Sequence, residues 1–406
     1  MSRNWVKIKI SDYARLSVNP LRKITQEQKV EPNPLKRSIT LQLGDPTIFG
    51  NFPPPISLIN ALNNAVHRDK FPYNLSYGKY ESRKAVAEYS KHQGLVTADD
   101  VILASGCSHA MEMCVLTLTA SGENVLIPKP CYNYKTWLDG VKIETRAYNL
   151  NPEQSWNIDL KDMESLIDEK TRCIIVNNPG NPCGNVFSKD HIIDLLALAE
   201  KHKLPIVADE IYEHFVFPGI EYHSISSLSK TVPILTCSGL SKRFLVPGIR
   251  MGWIIIHDRN DSLSEVKQGL RNVSARILGP NSTVQYALPE ILQNTQQQFF
   301  VNKMMKIACN AELAYGLLNQ IPGLKPIKPR GSMYMMIKIE LEKFPEFKSC
   351  MEFTQQLIRE QSVLVFPSYP CFNYPGFMRI VLTVTNDMIE EACARIKEFC
   401  ETHVVN

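Results

Sequence analysis

The chain lacks the features that would tie it to a membrane, to nucleic acid or to a structural metal. No apolar run approaches the roughly 20 residues that a membrane-crossing helix requires. The amino terminus, MSRNWVKIKISDYARLSVNP, has no uninterrupted apolar segment of the kind a secretory signal carries, and Asp12 with the alternating WVKIKI pattern counts against a mitochondrial presequence. Cytosol is therefore the expected compartment. A formal net charge of +4 is small for 406 residues, and neither KHKLP at 201–205 nor SKRF at 241–244 forms a basic stripe with interleaved aromatics. Nucleic acid is not an expected partner. The eleven cysteines are scattered and odd in number, with no CxxC pair and no His and Cys cluster at metal spacing, so they read as reduced structural thiols. No metal is expected.

What is present is enough apolar material for a large core and more than one lobe: 44% hydrophobic residues against 21% charged. Residues 55–70 and 80–93 carry helical patterns. Short apolar runs then recur at 101–105 (VILAS), 124–128 (NVLIP), 173–177 (CIIVN), 204–209 (LPIVAD), 233–238 (PILTCS) and 252–256 (GWIII), with helix-length segments between most of them. Strands apolar throughout and interleaved with helices predict a mostly parallel sheet covered on both faces. This is an α/β domain over residues 46–300. Beyond it the texture changes: 300–320 reads as helix, SMYMMIKIE at 332–340 alternates as a strand, MEFTQQLIREQ is helical, and VLVFPS and FMRIVLTV are strand candidates. A smaller α+β lobe over 301–406, completed by residues 1–45, is expected. Ligand chemistry belongs at the carboxyl ends of the large-domain strands or between the lobes.

Several stretches carry side chains suited to a site there. VNNPGNPCG, Val176 to Gly184, ends an apolar run with three Asn, two Pro and two Gly, a shaped connection rather than a slack one. Asp209 and Glu210 follow the run LPIV, where a strand-end carboxylate can face a ligand, although a local salt bridge explains an acidic strand end about as well. Lys242 follows a Gly and Ser turn in CSGLSKRFLVPGIRMGW, and Arg250 follows in PGIRMG. A partly dry lysine can form an imine, and an arginine can clamp a phosphate. The ASGCSHA loop offers Ser105, Gly106, Cys107 and Ser108 at a helix start, where backbone N–H groups favour phosphate. It is neither a GxxxxGK[ST] nor a GxGxxG loop.

With these pieces in order, the sequence resembles the fold-type I pyridoxal-phosphate aminotransferases, and closely the tyrosine aminotransferase family. The resemblance rests on LGDPTIFGNF at 43–52, ASGCSHAMEMC at 104–114, SWNIDLKDMESLIDEKT at 155–171, VNNPGNPCGNVFSK at 176–189, ADEIY at 208–212, GLSKRFLVPGIRMGWI at 239–254 and RILGPNSTVQ at 276–285. It extends through EQSVLVFPSYPCFNYPGFMRI near the carboxyl end.

The resemblance implies a role for each of these residues. Lys242 would carry pyridoxal 5′-phosphate as an imine and shuttle the proton, Asp209 would pair with the pyridine nitrogen, and Asn181 and Tyr212 would donate to the phenolic oxygen. Tyr132, in PKPCYNY, would stack on the ring. Ser105, Gly106, Cys107 and Arg250 would hold the phosphate, joined by Tyr73 from across a dimer boundary; Tyr77 is a nearby alternative, but Tyr73 keeps the family spacing to Gly78. Gly239 stands where many relatives have a serine, so that hydroxyl is missing, with Ser238 as a possible substitute. Arg379, with the backbone at Gly44, would bind the substrate's α-carboxylate, assisted by Asn181. Arg271 and Arg276 have no matching family role and read as solvated or interdomain charges. The implied activity is reversible transamination of L-tyrosine, and of other aromatic amino acids, with 2-oxoglutarate by a homodimer. Alternatives in the same cofactor class are β-elimination from cysteine conjugates or decarboxylation; in a different class, a catalytically silent metabolite-binding protein.

Overall fold

The computed structural model describes residues 8–27 and 30–405, so part of WVKIKI lies outside the described residues. Among the described residues fourteen strands form three sheets. β1 is Ile39–Thr40, β2 Val101–Ala104, β3 Asn124–Lys129, β4 Glu144–Asn151, β5 Asn157–Ile158, β6 Thr171–Asn177 and β7 Ile206–Asp209. β8 is Ile234–Gly239, β9 Gly252–His257, β10 Leu324–Pro326, β11 Tyr334–Ile339, β12 Val363–Leu364, β13 Phe366–Pro367 and β14 Phe377–Val381.

The large sheet has the order β2-β9-β8-β7-β6-β3-β4-β5. All six apolar runs read from the sequence are strands of it. β3, β4, β6, β7 and β8 are mutually parallel, while β9 runs antiparallel between β2 and β8 and β5 runs antiparallel at the far edge. β4 and β5 were not among the sequence expectations: ETRAYNLN is half exposed at the sheet's margin and lacks a continuous apolar run. The central strands are apolar on both faces because helices cover both, and Ile174, Ile175, Val176, Ile206 and Val207 are fully buried. Each such side chain contributes about 1.5–3 kcal/mol relative to exposure.

A second sheet, β10-β11-β14-β13, is antiparallel throughout. The helices Gln297–Leu318 and Asn386–His403 pack beside it, the first spanning residue 300. The amino-terminal segment divides its contacts. Residues 33–42 join the second sheet's side: β1 pairs with β12, Gln42 Nε2 donates to the Val365 carbonyl at 3.0 Å, and the Val381 N–H donates to the Leu41 carbonyl at 2.9 Å. Residues 13–18 instead lie against the large sheet's helices, where Thr136 Oγ1 donates to the Val18 carbonyl at 3.3 Å. Between them Asn19 caps Pro20–Arg22, its Oδ1 accepting from the N–H groups of Leu21 and Arg22 at 3.0 and 3.2 Å. An Asn cap followed by Pro pre-sets that turn, which hangs Leu21 and Arg22 over the space between the two sheets.

Candidate active site

That space is a cleft of about 670 Å³ at the carboxyl ends of β6, β7 and β8. Gly44, Cys107, Tyr132, Asn181, Asp209, Tyr212, Lys242, Arg250 and Arg379 all line it. Nine residues spread over more than 300 positions therefore meet in one place. Ser105 and Gly106 meet the same site through Arg250. Tyr73 does not line it: it is 87% exposed on the surface of its own chain.

At one end, β2 stops at Ala104 and the helix Cys107–Leu118 begins. Gly106, with φ of +86°, has no side chain to cap that helix, so its first N–H groups face the cleft. Arg250 lies directly against this turn: Nη2 donates to the Ser105 carbonyl at 3.3 Å, and Nη1 to the Pro247 carbonyl at 2.9 Å and to Ser241 Oγ at 3.4 Å. A Cβ on Gly106 would collide with the guanidinium. The result is a concentration of positive charge and uncapped N–H groups suited to a phosphate.

Two details of the loop before Lys242 depart from the sequence reading. Ser238 is no substitute for the missing serine, because it is fully buried and its Oγ donates away from the cleft to Glu213 Oε1 at 3.1 Å. Gly239 has no room for a side chain: it pairs with Gly252, and a Cβ there would stand 2.6 Å from the Met251 carbonyl. The hydroxyl that does reach the cleft is Ser241, immediately before Lys242 and in contact with Arg250. Its adjacency to the lysine was the available signal.

Asp209 closes the inner end. Tyr134 Oη donates to Oδ2 at 2.8 Å, the Ile211 N–H to Oδ1 at 3.3 Å and Cys107 Sγ to Oδ1 at 3.6 Å. Burial raises its pKa, and these three donors only partly offset the shift. Glu210, one residue on, faces away, holding Tyr222, Ser224 and the Ile225 N–H, each at 2.8 Å.

The VNNPGNPCG turn builds the wall between Asp209 and the second sheet. Asn177 Nδ2 donates to the Asp209 carbonyl at 2.9 Å and its Oδ1 accepts the Asn181 N–H at 2.7 Å. Gly184, with φ of +67°, passes so close to the second sheet that a Cβ would lie 2.6 Å from the Tyr334 carbonyl. The amides thus hold one another and aim Asn181 into the cleft. Its Oδ1 accepts from Arg379 Nη1 at 3.0 Å.

Arg379 comes from β14 and is 2% exposed. Nη2 donates to the Gln42 carbonyl at 2.6 Å, Nε has no partner, and the guanidinium lies 4.2 Å from the centre of the Tyr334 ring. Burial lowers its pKa from the ordinary arginine value. A buried guanidinium held by neutral groups, with no carboxylate paired to it among the described residues, is prepared for an anion. Between the two ends Lys242 Nζ donates to the Gly44 carbonyl at 2.5 Å. Tyr334, whose hydroxyl is 2.8 Å from that of Tyr212, was missed from the sequence; in SMYMMIKIE it reads as one more inward residue of a strand. Arg271 lies over the Tyr77 ring at 4.8 Å and is not a wall of the cleft.

An amine, a buried acid, an anion cradle and a second arginine around one cleft on this sheet define a class of group-transfer enzyme. The family model for aminotransferase class I and II matches residues 36–396, and the chain belongs to that family. It is 50% identical over 400 residues to tyrosine aminotransferase of Mus musculus, covering 98% of this chain and 88% of the relative, and 42% identical over 400 residues to that of Caenorhabditis elegans, covering 98% and 85%. Its structure matches that of tyrosine aminotransferase from Leishmania infantum with a TM-score of 0.94 at 30% identity, covering 99% and 100% of the two chains.

Proposed function

We propose that this chain catalyses reversible transfer of the amino group of L-tyrosine to 2-oxoglutarate, giving 4-hydroxyphenylpyruvate and L-glutamate, with pyridoxal 5′-phosphate held in the cleft. The supporting observation is that Lys242, Asp209 and Arg379 converge on one cleft in a chain half identical to a tyrosine aminotransferase. The residues fit the cofactor. The Gly106 turn against Arg250 would be filled by any side chain at 106, and Asp209 is a buried carboxylate with room to accept one more hydrogen bond.

When bound, the cofactor supplies an aldehyde for the lysine amine and a conjugated ring that accepts electrons as the substrate's α-proton leaves. Arg250, Ser241 and the first N–H groups of the helix Cys107–Leu118 would anchor the phosphate. Asp209 would keep a proton on the ring nitrogen, and Tyr132 would lie along the ring face. With Oδ1 of Asn181 engaged by Arg379, its Nδ2 is left to donate to the phenolic oxygen, beside Tyr212. Arg379 and the backbone at Gly44 would grip the α-carboxylate and so present the α-hydrogen to Lys242 Nζ, the amine that would take up and release that proton. Leu21, Ile48, Trp137 and Phe366 line the cleft and would desolvate an aromatic side chain.

The working unit we propose is a homodimer of chains each divided into a large and a small lobe, with the expected boundary at 300 moved to the start of the helix Gln297–Leu318 and with residues 33–45, rather than all of 1–45, joining the small lobe. Tyr73 would complete the neighbouring site. Ile56, Val66, Phe71, Tyr73 and Leu75 are all more than half exposed and cluster in sequence, an apolar surface that a second copy would cover. Sedimentation should give twice the chain mass; a fully active monomer would refute the shared site. Among the described residues no helix is long and apolar enough to cross a membrane. All eleven cysteines are free thiols, ten of them buried, which supports a reducing compartment such as the cytosol.

Product analysis tests the reaction itself. Purified, cofactor-loaded protein given L-tyrosine and 2-oxoglutarate should form 4-hydroxyphenylpyruvate and glutamate in equal amounts. Pyruvate and ammonia from a β-substituted donor, without amino transfer, would establish elimination instead, and cofactor binding without turnover would establish a silent binding protein.

A further inference from the structure

Tyr334 stands where the parts of the cleft meet. It belongs to β11 of the second sheet, is 2% exposed, and sits diagonally across from Arg379 on the same face of the β11–β14 ladder. Its ring supports the Arg379 guanidinium. Its hydroxyl bonds that of Tyr212, which follows β7 of the large sheet, and packs so tightly on Gly44 that a Cβ there would collide with it. Gly44 in turn accepts from Lys242.

We propose that Tyr334 is a positioning residue with two separable parts: its hydroxyl donates to Tyr212 and strengthens Tyr212 as a donor into the cleft, while its ring fixes the plane of Arg379. The inference rests on the cofactor reading above. The direction of the hydrogen bond follows from what faces the pair. Arg379 faces both phenols; Lys242 stands on the Tyr334 side, held at the carbonyl of Gly44, the residue against which the Tyr334 hydroxyl packs, and the carboxylate of Asp209 stands on the Tyr212 side, with the neutral Tyr132 phenol also facing Tyr334. Burial works against ionisation of both phenols, but the cations Lys242 and Arg379 favour the ionised form of Tyr334, whereas on Tyr212 the Asp209 carboxylate works against it. Of two phenols sharing one proton bridge, the more acidic gives and the more basic oxygen receives. Tyr334 therefore donates to Tyr212, whose own proton is left to point into the cleft, polarised by the bond it accepts.

Removing that bond weakens donation to the cofactor's phenolic oxygen. The oxygen becomes more basic, and the proton it shares with the Lys242 nitrogen is held to higher pH. The test uses wild type, Tyr334→Phe and Tyr334→Leu, each loaded with pyridoxal 5′-phosphate. The absorbance of the bound cofactor is followed from about pH 5 to pH 10 without substrate, and KM for L-tyrosine is measured separately. Tyr334→Phe keeps the ring, so its titration midpoint should move up by about half to one pH unit with KM within about twofold of wild type. Tyr334→Leu loses both parts and should add a rise in KM of about tenfold. A Tyr334→Phe titration that coincides with wild type overturns the hydroxyl's role, whether or not the leucine variant folds. A folded Tyr334→Leu with unchanged KM overturns the ring's role. Wild-type protein that develops no cofactor absorbance refutes the underlying cofactor reading and the inference with it.

Discussion

Arg379 Nη1 donates to Asn181 Oδ1 at 3.0 Å, joining the innermost arginine of the second sheet to the turn that follows β6 of the large one. Neither residue is charged-paired in this arrangement, and the guanidinium keeps Nε without a partner. An incoming carboxylate completes what these neutral contacts leave open. Replacing Arg379 with Lys should lower kcat/KM for L-tyrosine by a factor on the order of 10²–10³, mainly through KM, because an ammonium cannot make the planar two-point contact. An unchanged KM in steady-state assays would place the carboxylate elsewhere.

Lys242 is the amine nearest the middle of the cleft, held by the Gly44 carbonyl. Lys242→Ala should retain the wild-type circular dichroism spectrum yet lose nearly all turnover and the absorbance of a lysine-bound cofactor. Normal steady-state transamination by the purified variant would sink the assignment.

Gly106 tests the anion cradle separately from the amine. Gly106→Ala puts a Cβ against Arg250 and forces an alanine to φ of +86°. With ψ of 164° this is a backbone region essentially closed to residues with a side chain; its cost alone is about 1–3 kcal/mol, and displacement of the guanidinium adds to it. Affinity for pyridoxal 5′-phosphate, measured by fluorescence titration, should fall by about 10- to 100-fold while affinity for free pyridoxal changes little. Equal losses for the two ligands would point to general damage.

Glu213 provides a pH-dependent test of the scaffold. It follows Tyr212 but faces the interior, where Ser238 donates to Oε1 at 3.1 Å, Gln93 donates to Oε2 at 3.4 Å and His92 Nε2 lies 3.6 Å away. Burial alone would raise its pKa, but the neighbouring His92 ring and the charge of Arg243 hold it down at about 2 against an ordinary 4.5. A depressed carboxylate stabilises the fold above the unfolded-state value, and that contribution fades as pH falls from about 4.5 toward 2. Glu213→Gln should therefore cost on the order of 2–3 kcal/mol at pH 7 and progressively less in acid. Thermal unfolding at fixed protein concentration across that window measures it; a gap that stays constant with pH would contradict the assignment.

The large sheet was legible because its central strands are buried on both faces and so appear as unbroken apolar runs. β4 escaped because its half-exposed side chains alternate irregularly with polar ones. Asp209, Asn181 and Lys242 each sit at a strand end or in a constrained turn, weak signals when read singly, and it was the ordered family resemblance that joined them into one site. What the sequence concealed was direction. Glu210 lies next to Asp209 and Ser238 in the loop leading to Lys242, yet both point into the interior, and Tyr334 hides its hydroxyl in an ordinary strand pattern. Adjacency along the chain does not specify which side of a turn a side chain leaves from; packing against Gly252 and the second sheet decides it.

Arg379 recognises the carboxylate common to all amino acids, so the choice of L-tyrosine falls to the apolar wall of Leu21, Ile48, Trp137 and Phe366. The most direct measurement is kcat/KM for every common amino acid with 2-oxoglutarate as acceptor, using cofactor-saturated protein. The account predicts the highest value for L-tyrosine, with phenylalanine and tryptophan behind it and small aliphatic donors well below. A nonaromatic amino acid that dominates while L-tyrosine reacts poorly would contradict it.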